Sequence, residues 1–282
     1  MRDIKRIEEI VVNALTEANR THDELGVRGL EEIEKNRFGD VALRVDVEAE
    51  ESVIDVLREE GLPIRIISEE HGTLDLVKDP IYLGLLDGID GTRVYKEARG
   101  RGRYGTMFGI LSNLDPRYSD YLASGVVEHS TKRLFFASKD GGSFLMGRRK
   151  TLPIYCSGTT QLDPQTRIYV DEMLPFNVET FSENLQEFEI SCLKASCVHY
   201  IDLASGNSDL VLECTRKGNL EIAIAYGLIN ESGGVMVSSD GIDLGERMYL
   251  EFGQDEQLPV ITASTGQLAK KLIKRISLSV KK

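Results

Sequence analysis

The spacing of apolar residues near the start of the chain is that of an amphipathic helix. These residues recur every three or four positions, so they lie on one helix face, and the sequence predicts a helix over residues 3–20. Residues 21–40 are rich in charge and hold three glycines, which favours a partly helical, mobile segment. The apolar residues of the first helix are Ile4, Ile7, Ile10, Val11 and Leu15.

A second amphipathic helix is predicted over residues 46–62. Asp46 stands at its start, where a carboxylate can accept hydrogen bonds from free helix amides, and we expect it to cap the helix. Gly61 stands at its end, where a glycine commonly stops a helix.

Apolar runs predict strands through the rest of the first half. Two of them, residues 63–68 and 81–87, end in acidic residues. Further runs follow at short intervals, which favours a meandering, largely antiparallel sheet. These runs are residues 105–112, 121–130, 132–139 and 143–147.

Predicted strands and helices alternate after about residue 151. The strands are expected at residues 166–173, 188–193, 208–214, 234–239 and 258–264, and the helices at 195–207, 220–234 and 266–280. We therefore divide the chain into an antiparallel-rich half, 1–150, and an α/β half, 151–282. Without a flexible linker between them, the halves are predicted to form fused sandwich layers.

Composition excludes several classes of protein. A chain of 282 residues can bury a large core, and its formal charge of −12 argues against a protein that mainly grips nucleic acid. No apolar run approaches the ~20 residues of a membrane span. The four cysteines lack Cys-x-x-Cys spacing and no signal peptide is recognisable, so a reduced, cytoplasmic protein is expected. The four histidines form no His-x-x-x-His pair, which argues against a zinc hydrolase.

Three acidic clusters share one placement, at the point where a predicted element ends or begins. Glu69 and Glu70 follow a strand, Asp87 and Asp90 follow the next strand, and Glu221 opens a helix. Carboxylates at such ends can meet in the fold, and an all-oxygen cluster suits magnesium or manganese better than zinc. Buried carboxylates are costly unless their charge is compensated.

The segment 87–92, Asp-Gly-Ile-Asp-Gly-Thr, has two interpretations at this point. It is a polar turn in which Asp90 caps the following helix, or it is part of a metal and phosphate site. In the second case its free backbone amides would cradle a phosphate. The residues alone leave both open.

Three stretches resemble, in the right order, the signatures of the inositol monophosphatase/fructose-1,6-bisphosphatase superfamily. They are "ISEEHG", "DGIDGT" and "LEIAIAYGLINESGG". Further similarity in "GDVALRVDVEAEE", "GGSFLMGRRK" and "IDLASGNSDLVLE" extends the resemblance over residues 39–263. The overall look is closest to archaeal and bacterial inositol monophosphatase family proteins.

The resemblance implies a set of metal ligands. Glu69 would bind a first metal ion, Asp87 would bridge two ions, and the Ile89 carbonyl would complete the first. Asp90 and Glu221 would hold the second. It implies Mg²⁺ as cofactor, with two or three ions and with Mn²⁺ as an alternative.

Catalytic roles follow from the same resemblance. Thr92 and Asp46 would accept a proton from the attacking water, and Glu70 would orient that water. The amides of Gly91 and Thr92 would hold the phosphate of a small phosphorylated substrate. For Arg216 and Lys217, a substrate-binding role and a structural role both stay open, and Glu213 is a weaker candidate for contact with a substrate hydroxyl.

The implied protein is a metal-dependent phosphatase of sugar or polyol phosphates, such as inositol monophosphate or fructose 1,6-bisphosphate. Its fold would be a layered α/β/α/β/α sandwich, and it would form a homodimer or a tetramer, without nucleic-acid or membrane partners. One alternative is a phosphatase of adenosine 3′,5′-bisphosphate. Another is a non-catalytic relative that acts as a binding module.

The sequence departs from the family pattern at three places. Gly88 replaces the usual proline, which predicts a looser loop, and Glu221 replaces the aspartate of inositol monophosphatases. The segment after Thr92 is basic. One hypothesis is that Arg99, Arg101 or Arg103 meets a second anionic group of the substrate, and the alternative is a solvated loop or subunit contact.

Overall fold

The protein is described from a computed structural model that covers residues 2–35, 41–98, 101–147, 150–216 and 218–279. Within these ranges the α-helices are α1 (Arg2–Leu25), α2 (Arg44–Glu59), α3 (Thr92–Ala98), α4 (Pro175–Thr180), α5 (Ser196–Ala204), α6 (Leu220–Glu231) and α7 (Gly266–Ser279). The strands of the first half are β1 (Glu32–Lys35), β2 (Val41–Leu43), β3 (Ile64–Ser68), β4 (Gly72–Asp75), β5 (Tyr82–Asp90), β6 (Gly105–Leu111), β7 (Tyr121–Glu128), β8 (Arg133–Ser138) and β9 (Gly142–Met146). The remaining strands are β10 (Thr151–Pro153), β11 (Ile168–Val170), β12 (Ile190–Ser191), β13 (Leu210–Cys214), β14 (Val235–Ser238) and β15 (Pro259–Ala263).

Both predicted amphipathic helices are confirmed, and each packs its apolar face against the first sheet. α2 begins at Arg44, so Asp46 lies inside its first turn and not at the cap as predicted. Its carboxylate still accepts a hydrogen bond from the Leu43 amide, at 2.9 Å. The charged segment after α1 holds a short 3₁₀ helix, Gly26–Leu30, and the antiparallel pair β1–β2.

The first sheet has eight strands in the order β10-β9-β8-β7-β6-β5-β3-β4. All neighbours are antiparallel except β3 and β5, so the predicted antiparallel sheet is confirmed. β5 continues to Asp90, three residues beyond the predicted end. Its register with β6 is irregular between Asp87 and Asp90, although each of the two aspartates still has a partner residue in β6.

The second sheet has five strands in the order β12-β11-β13-β15-β14. β11 runs parallel to β12 and β13, and the other neighbours are antiparallel. The strand predicted over 188–193 is reduced to β12, and α4 was not predicted. The first sheet takes in β10, which lies at 151–153, just past the division that we predicted at residue 150.

Three apolar clusters define the layers. α1 and α2 cover one face of the eight-stranded sheet. The other face packs against α5 and α6, which lie between the two sheets. α4 and α7 lie against the far side of the five-stranded sheet. This α/β/α/β/α order confirms the predicted fold class. Among the described residues, no helix has the length and apolar character needed to cross the lipid bilayer.

Candidate metal and phosphate site

A cavity of about 480 Å³ opens where the ends of β3 and β5 meet the first turns of α5 and α6. Among the described residues that line it, seven are acidic and three are basic. The acidic residues are Asp46, Glu69, Glu70, Asp87, Asp90, Asp171 and Glu221, and the basic ones are Arg93, Lys194 and Arg216. The fold therefore brings all three predicted acidic clusters into one cavity.

The tightest acidic group combines both halves of the chain. Carboxylate oxygens of Asp87, Asp90 and Glu221 lie within 4.8 Å of one another. The two aspartates come from the irregular end of β5 and are 1% and 8% exposed, and Glu221 comes from the first turn of α6. We call these three residues the acidic floor.

Like charges buried this closely raise each other's pKa. Burial, and then the charge of Glu69, holds the pKa of Asp87 well above its ordinary value. The pKa of Glu69 is raised in the same way, by burial and then by Glu221. Burial and Glu221 raise the pKa of Asp90 to about 6.

The acidic floor fits a divalent cation. Oδ1 of Asp87 is buried and has no hydrogen-bond partner among the described residues, which is unusual for a buried polar atom. A cation would both bind this oxygen and relieve the repulsion among the carboxylates. Hard oxygen donors without sulfur or nitrogen ligands suit Mg²⁺ or Mn²⁺.

Thr92 connects the acidic floor to α2. Its hydroxyl lies 3.1 Å from Asp46 Oδ1 and 2.9 Å from the Ile89 carbonyl oxygen, so it has one proton to donate between two acceptors. Burial, and then the nearby charge of Glu70, raises the pKa of Asp46 to about 7. Asp46 can therefore exchange a proton near neutral pH.

Glycine is required at two positions of this loop, for a different structural reason at each. Gly91 has a φ of +94°, a region that favours glycine, and a Cβ there would lie 2.8 Å from the Cβ of Ala195. At Gly88 a Cβ would lie 2.4 Å from the Asp46 carbonyl oxygen. The Gly88 carbonyl also accepts a hydrogen bond from Thr106, at 2.5 Å. The loop is packed against α2 at Gly88, and a looser loop there stays a prediction.

Glu50 organises the turn that carries Glu69 and Glu70, and sequence analysis missed it. Its fully buried carboxylate accepts hydrogen bonds from the amides of Glu69, Glu70 and His71, at 3.1–3.3 Å. It also accepts one from the hydroxyl of Ser68. Glu50 stands four residues after Asp46, on the same face of α2, and this spacing is the signal that could have found it.

Asp90 connects the acidic floor to the second half. One of its carboxylate oxygens accepts a hydrogen bond from the Cys197 amide, at 2.6 Å. Cys197 is the second residue of α5, where backbone amides lack partners inside the helix. Asp90 therefore satisfies the first turn of α5, and no sequence spacing between residues 90 and 197 indicates this contact.

Arg216 faces the acidic floor. Its guanidinium lies 2.8 Å from a carboxylate oxygen of Glu221 and donates to the hydroxyl of Ser196 at 3.0 Å. Glu213 lies behind the cavity lining, where its carboxylate accepts hydrogen bonds from Ser196 and Tyr200. A substrate contact stays a prediction for both residues. Lys217 lies outside the described residues.

The basic segment after Thr92 does not act as one unit. Arg103 ion-pairs with Glu128 and Asp202, at 2.5 and 2.8 Å, and so connects β7 to α5. This pairing occupies its guanidinium away from the cavity. Arg101 is exposed and is not among the cavity-lining residues that the structure describes. Arg99 falls outside the described ranges.

Comparisons with known proteins agree with this geometry. The chain is 25% identical over 210 residues to an inositol-1-monophosphatase of Aeropyrum pernix, covering 70% of this chain and 72% of that protein. It is 26% identical over 208 residues to a fructose-1,6-bisphosphatase/inositol-1-monophosphatase of Methanothermobacter thermautotrophicus, covering 70% and 71%.

Solved structures share the fold at lower sequence identity. The suhB extragenic suppressor protein of Bartonella henselae superposes with a TM-score of 0.76 at 18% identity, covering 96% of this chain and 98% of that one. An inositol monophosphatase of Thermotoga maritima superposes with a TM-score of 0.75 at 17% identity, covering 98% of both. The model of the inositol monophosphatase family matches residues 4–280. The chain therefore belongs to the inositol monophosphatase family.

Proposed function

We propose that this protein is a Mg²⁺-dependent phosphatase that hydrolyses a phosphate monoester of a small sugar or polyol. One observation carries the proposal: Asp87, Asp90 and Glu221 converge, with their carboxylate oxygens within 4.8 Å, in the cavity that also holds Thr92 and Asp46. The curated relatives, which are named as phosphatases of inositol 1-phosphate and fructose 1,6-bisphosphate, support the same substrate class.

The ligand roles rest on donor chemistry and placement. Asp87, Asp90 and Glu221 would hold divalent ions together with Glu69 and the Ile89 carbonyl, all of which line the same cavity. When bound, such ions supply charge neutralisation at the phosphate and activate water for attack. Manganese is compatible with the same oxygen donors.

This chain's own residues would manage the proton and the substrate. The Thr92 hydroxyl, hydrogen-bonded to Asp46, lets a proton of the attacking water pass to a carboxylate whose pKa is close to 7. Glu70 lines the cavity beside them and would orient the water. The amides of Gly91 and Thr92, at the start of α3, would hold the phosphate.

Arg216 also affects the net charge of the acidic floor. Its guanidinium compensates part of the charge of Glu221 within the acidic floor. A glutamate that is already paired with an arginine would reach an ion with a reduced net charge. We therefore assign Arg216 to the charge balance of the floor, next to the position where a substrate phosphate would lie.

The test is a phosphate-release screen over inositol phosphates, hexose mono- and bisphosphates and adenosine 3′,5′-bisphosphate. Each ester is assayed with Mg²⁺, with Mn²⁺ and with a chelator. We expect release from at least one sugar or polyol ester that requires the divalent ion. Preferred release from the adenosine ester would favour that alternative, and no release from any ester would favour a binding module.

A further inference from the structure

Positive charge around the cavity is divided between two places. Arg216 faces the acidic floor, 2.8 Å from Glu221. Arg93 and Lys194 also line the cavity, but their charged groups contact Glu97, which lies outside the lining. We call Arg93 and Lys194 the basic rim. The cavity thus combines an acidic floor with a separate basic rim, in a protein of formal charge −12.

Glu97 gathers the two cations of the basic rim. Nε of Arg93 lies 2.7 Å from one carboxylate oxygen of Glu97, and Nζ of Lys194 lies 3.4 Å from the other. Two positive charges around one negative charge leave the group with a net charge of +1. Both side chains stay accessible, at 61% and 44% exposure, so an incoming anion can reach them.

The backbone at Lys194 gives an independent reason to assign it a role. Its φ is +60°, in the left-handed region that a lysine seldom adopts. A glycine would take this conformation without strain. Strained residues of this kind cluster at ligand sites, where the side chain is needed in spite of the backbone cost.

Apolar side chains also line the cavity. Met173, Leu174 and Ala195 are among them, and the guanidinium of Arg93 lies 4.0 Å from the Met173 sulfur. Apolar lining of this kind suits the carbon skeleton of a ligand whose two ends are charged. The distribution of charge therefore matches an elongated dianionic or polyanionic molecule.

We propose that the basic rim binds the second phosphate of a bisphosphate substrate, whose first phosphate lies against Gly91 and Thr92. The inference rests on the proposed function, since that function places the first phosphate. The guanidinium of Arg93 offers paired donors that match phosphate oxygens, and Lys194 adds a mobile point charge. The rim would take the role that was one hypothesis for Arg101 and Arg103, and for Arg99 that role stays a prediction.

The test compares matched esters on rim variants. Michaelis constants are measured for fructose 1,6-bisphosphate against fructose 1-phosphate, and for inositol 1,4-bisphosphate against inositol 1-phosphate. The rim variant combines Arg93→Gln with Lys194→Asn, because asparagine tolerates a positive φ. Arg101→Gln removes one exposed positive charge outside the described cavity lining and serves as the matched control.

We expect the rim variant to raise the Michaelis constant for the bisphosphate about tenfold and that for the monophosphate less than about twofold. Glu97→Gln should act in the opposite direction and lower the bisphosphate constant, because it frees both cations. Equal changes for mono- and bisphosphate, or a bisphosphate effect of the same size in Arg101→Gln, would overturn the proposal.

A binding measurement separates this inference from the proposed function. Calorimetry with Ca²⁺ in place of Mg²⁺ gives the affinity for each ester without relying on turnover. If no ester is hydrolysed but the wild type prefers the bisphosphate and the rim variant does not, the rim assignment stands and the phosphatase proposal fails. If the esters are hydrolysed and the rim variant keeps the wild-type preference, the rim assignment fails alone.

Discussion

Two groups of buried carboxylates in this molecule have opposite electrostatics. Glu128 is fully buried, and Arg103 and Arg133 contact its carboxylate at 2.5 and 2.6 Å. Thr131 also donates a hydrogen bond to it. Burial alone would raise the pKa of Glu128, but these donors hold it below the ordinary value.

The acidic floor is also largely buried, but fewer cations contact it in the part of the chain that the structure describes. Asp87 is 1% exposed, its Oδ1 has no hydrogen-bond partner among the described residues, and its pKa is well above the ordinary value because of burial and then Glu69. At Glu128 the chain supplies its own positive charges. At the floor the described residues supply one, Arg216, against three carboxylates. This difference in compensating charge supports the proposed divalent cation, which would supply positive charge at the floor.

The largest effect is expected when one carboxylate of the acidic floor is neutralised. For Asp87→Asn we expect kcat to fall about 1,000-fold, because the group that would bridge the ions loses its charge. The folded state should persist, since the change also removes repulsion from Glu69 and Asp90. Phosphate release and thermal melting in chelator measure the two effects. Retained activity would mean that the site is misassigned.

The pH dependence of stability tests whether Asp46, beside the floor, is uncompensated in the way that the floor carboxylates are. Burial raises the pKa of Asp46 from 3.8 to about 7, so the folded protein holds this proton more tightly than the unfolded chain. The resulting stability is complete below about pH 4 and is lost as the pH rises to 7. With a chelator present, the free energy of unfolding of Asp46→Asn relative to that of the wild type should therefore increase as the pH rises from 4 to 7, by up to about 4 kcal/mol.

Urea denaturation of both proteins between pH 4 and 8 measures this difference. Asp240→Asn is the control whose difference from the wild type should stay constant over this window, because the Ser238 hydroxyl lowers the pKa of Asp240 below its ordinary value of 3.8. A constant difference between Asp46→Asn and the wild type would contradict a raised pKa at Asp46.

Replacement of Glu128 tests the compensated group. Glu128→Gln should lower the free energy of unfolding by about 2 kcal/mol, since it leaves Arg103 and Arg133 with less compensation. The loss is below that of a fully buried pair because both arginines reach solvent. Asp240→Asn, which removes an exposed pair with Arg247, should cost less than about 0.5 kcal/mol. An unchanged midpoint in urea for Glu128→Gln would contradict the assigned role of its ion pairs.

Local patterns predicted much of the fold because they report burial directly. The apolar spacing in α1 and α2 reflects one buried face, and the nearly continuous apolar runs that became β5, β6 and β7 reflect burial on both faces of the sheet. Short elements such as α4 and β10 escaped prediction. β10 is exposed along its whole length, so no apolar period marks it, and it exists only through its pairing with β9.

Some residues of the candidate site could likewise be predicted from local sequence, and others could not. A strand that ends in carboxylates is visible in a sequence, and this signal found Glu69, Asp87 and Asp90. The contact of Asp90 with Cys197 and the ion pair of Arg103 with Asp202 join residues about 100 positions apart. Such pairs depend on how the layers pack, and no local spacing encodes them.

Asp90 and Glu221 belong to different layers, and this has a consequence for how the molecule opens. An ion held by both would act as a reversible crosslink between the end of β5, in the eight-stranded sheet, and the start of α6, in the helical layer that packs on that sheet. Its strength would follow the free ion concentration, as for any ligand that binds only the closed state. The exchange of amide hydrogens with solvent in α5 and α6 would then slow as the ion is added. The same site would therefore control both the hydrolysis reaction and the rate of local opening.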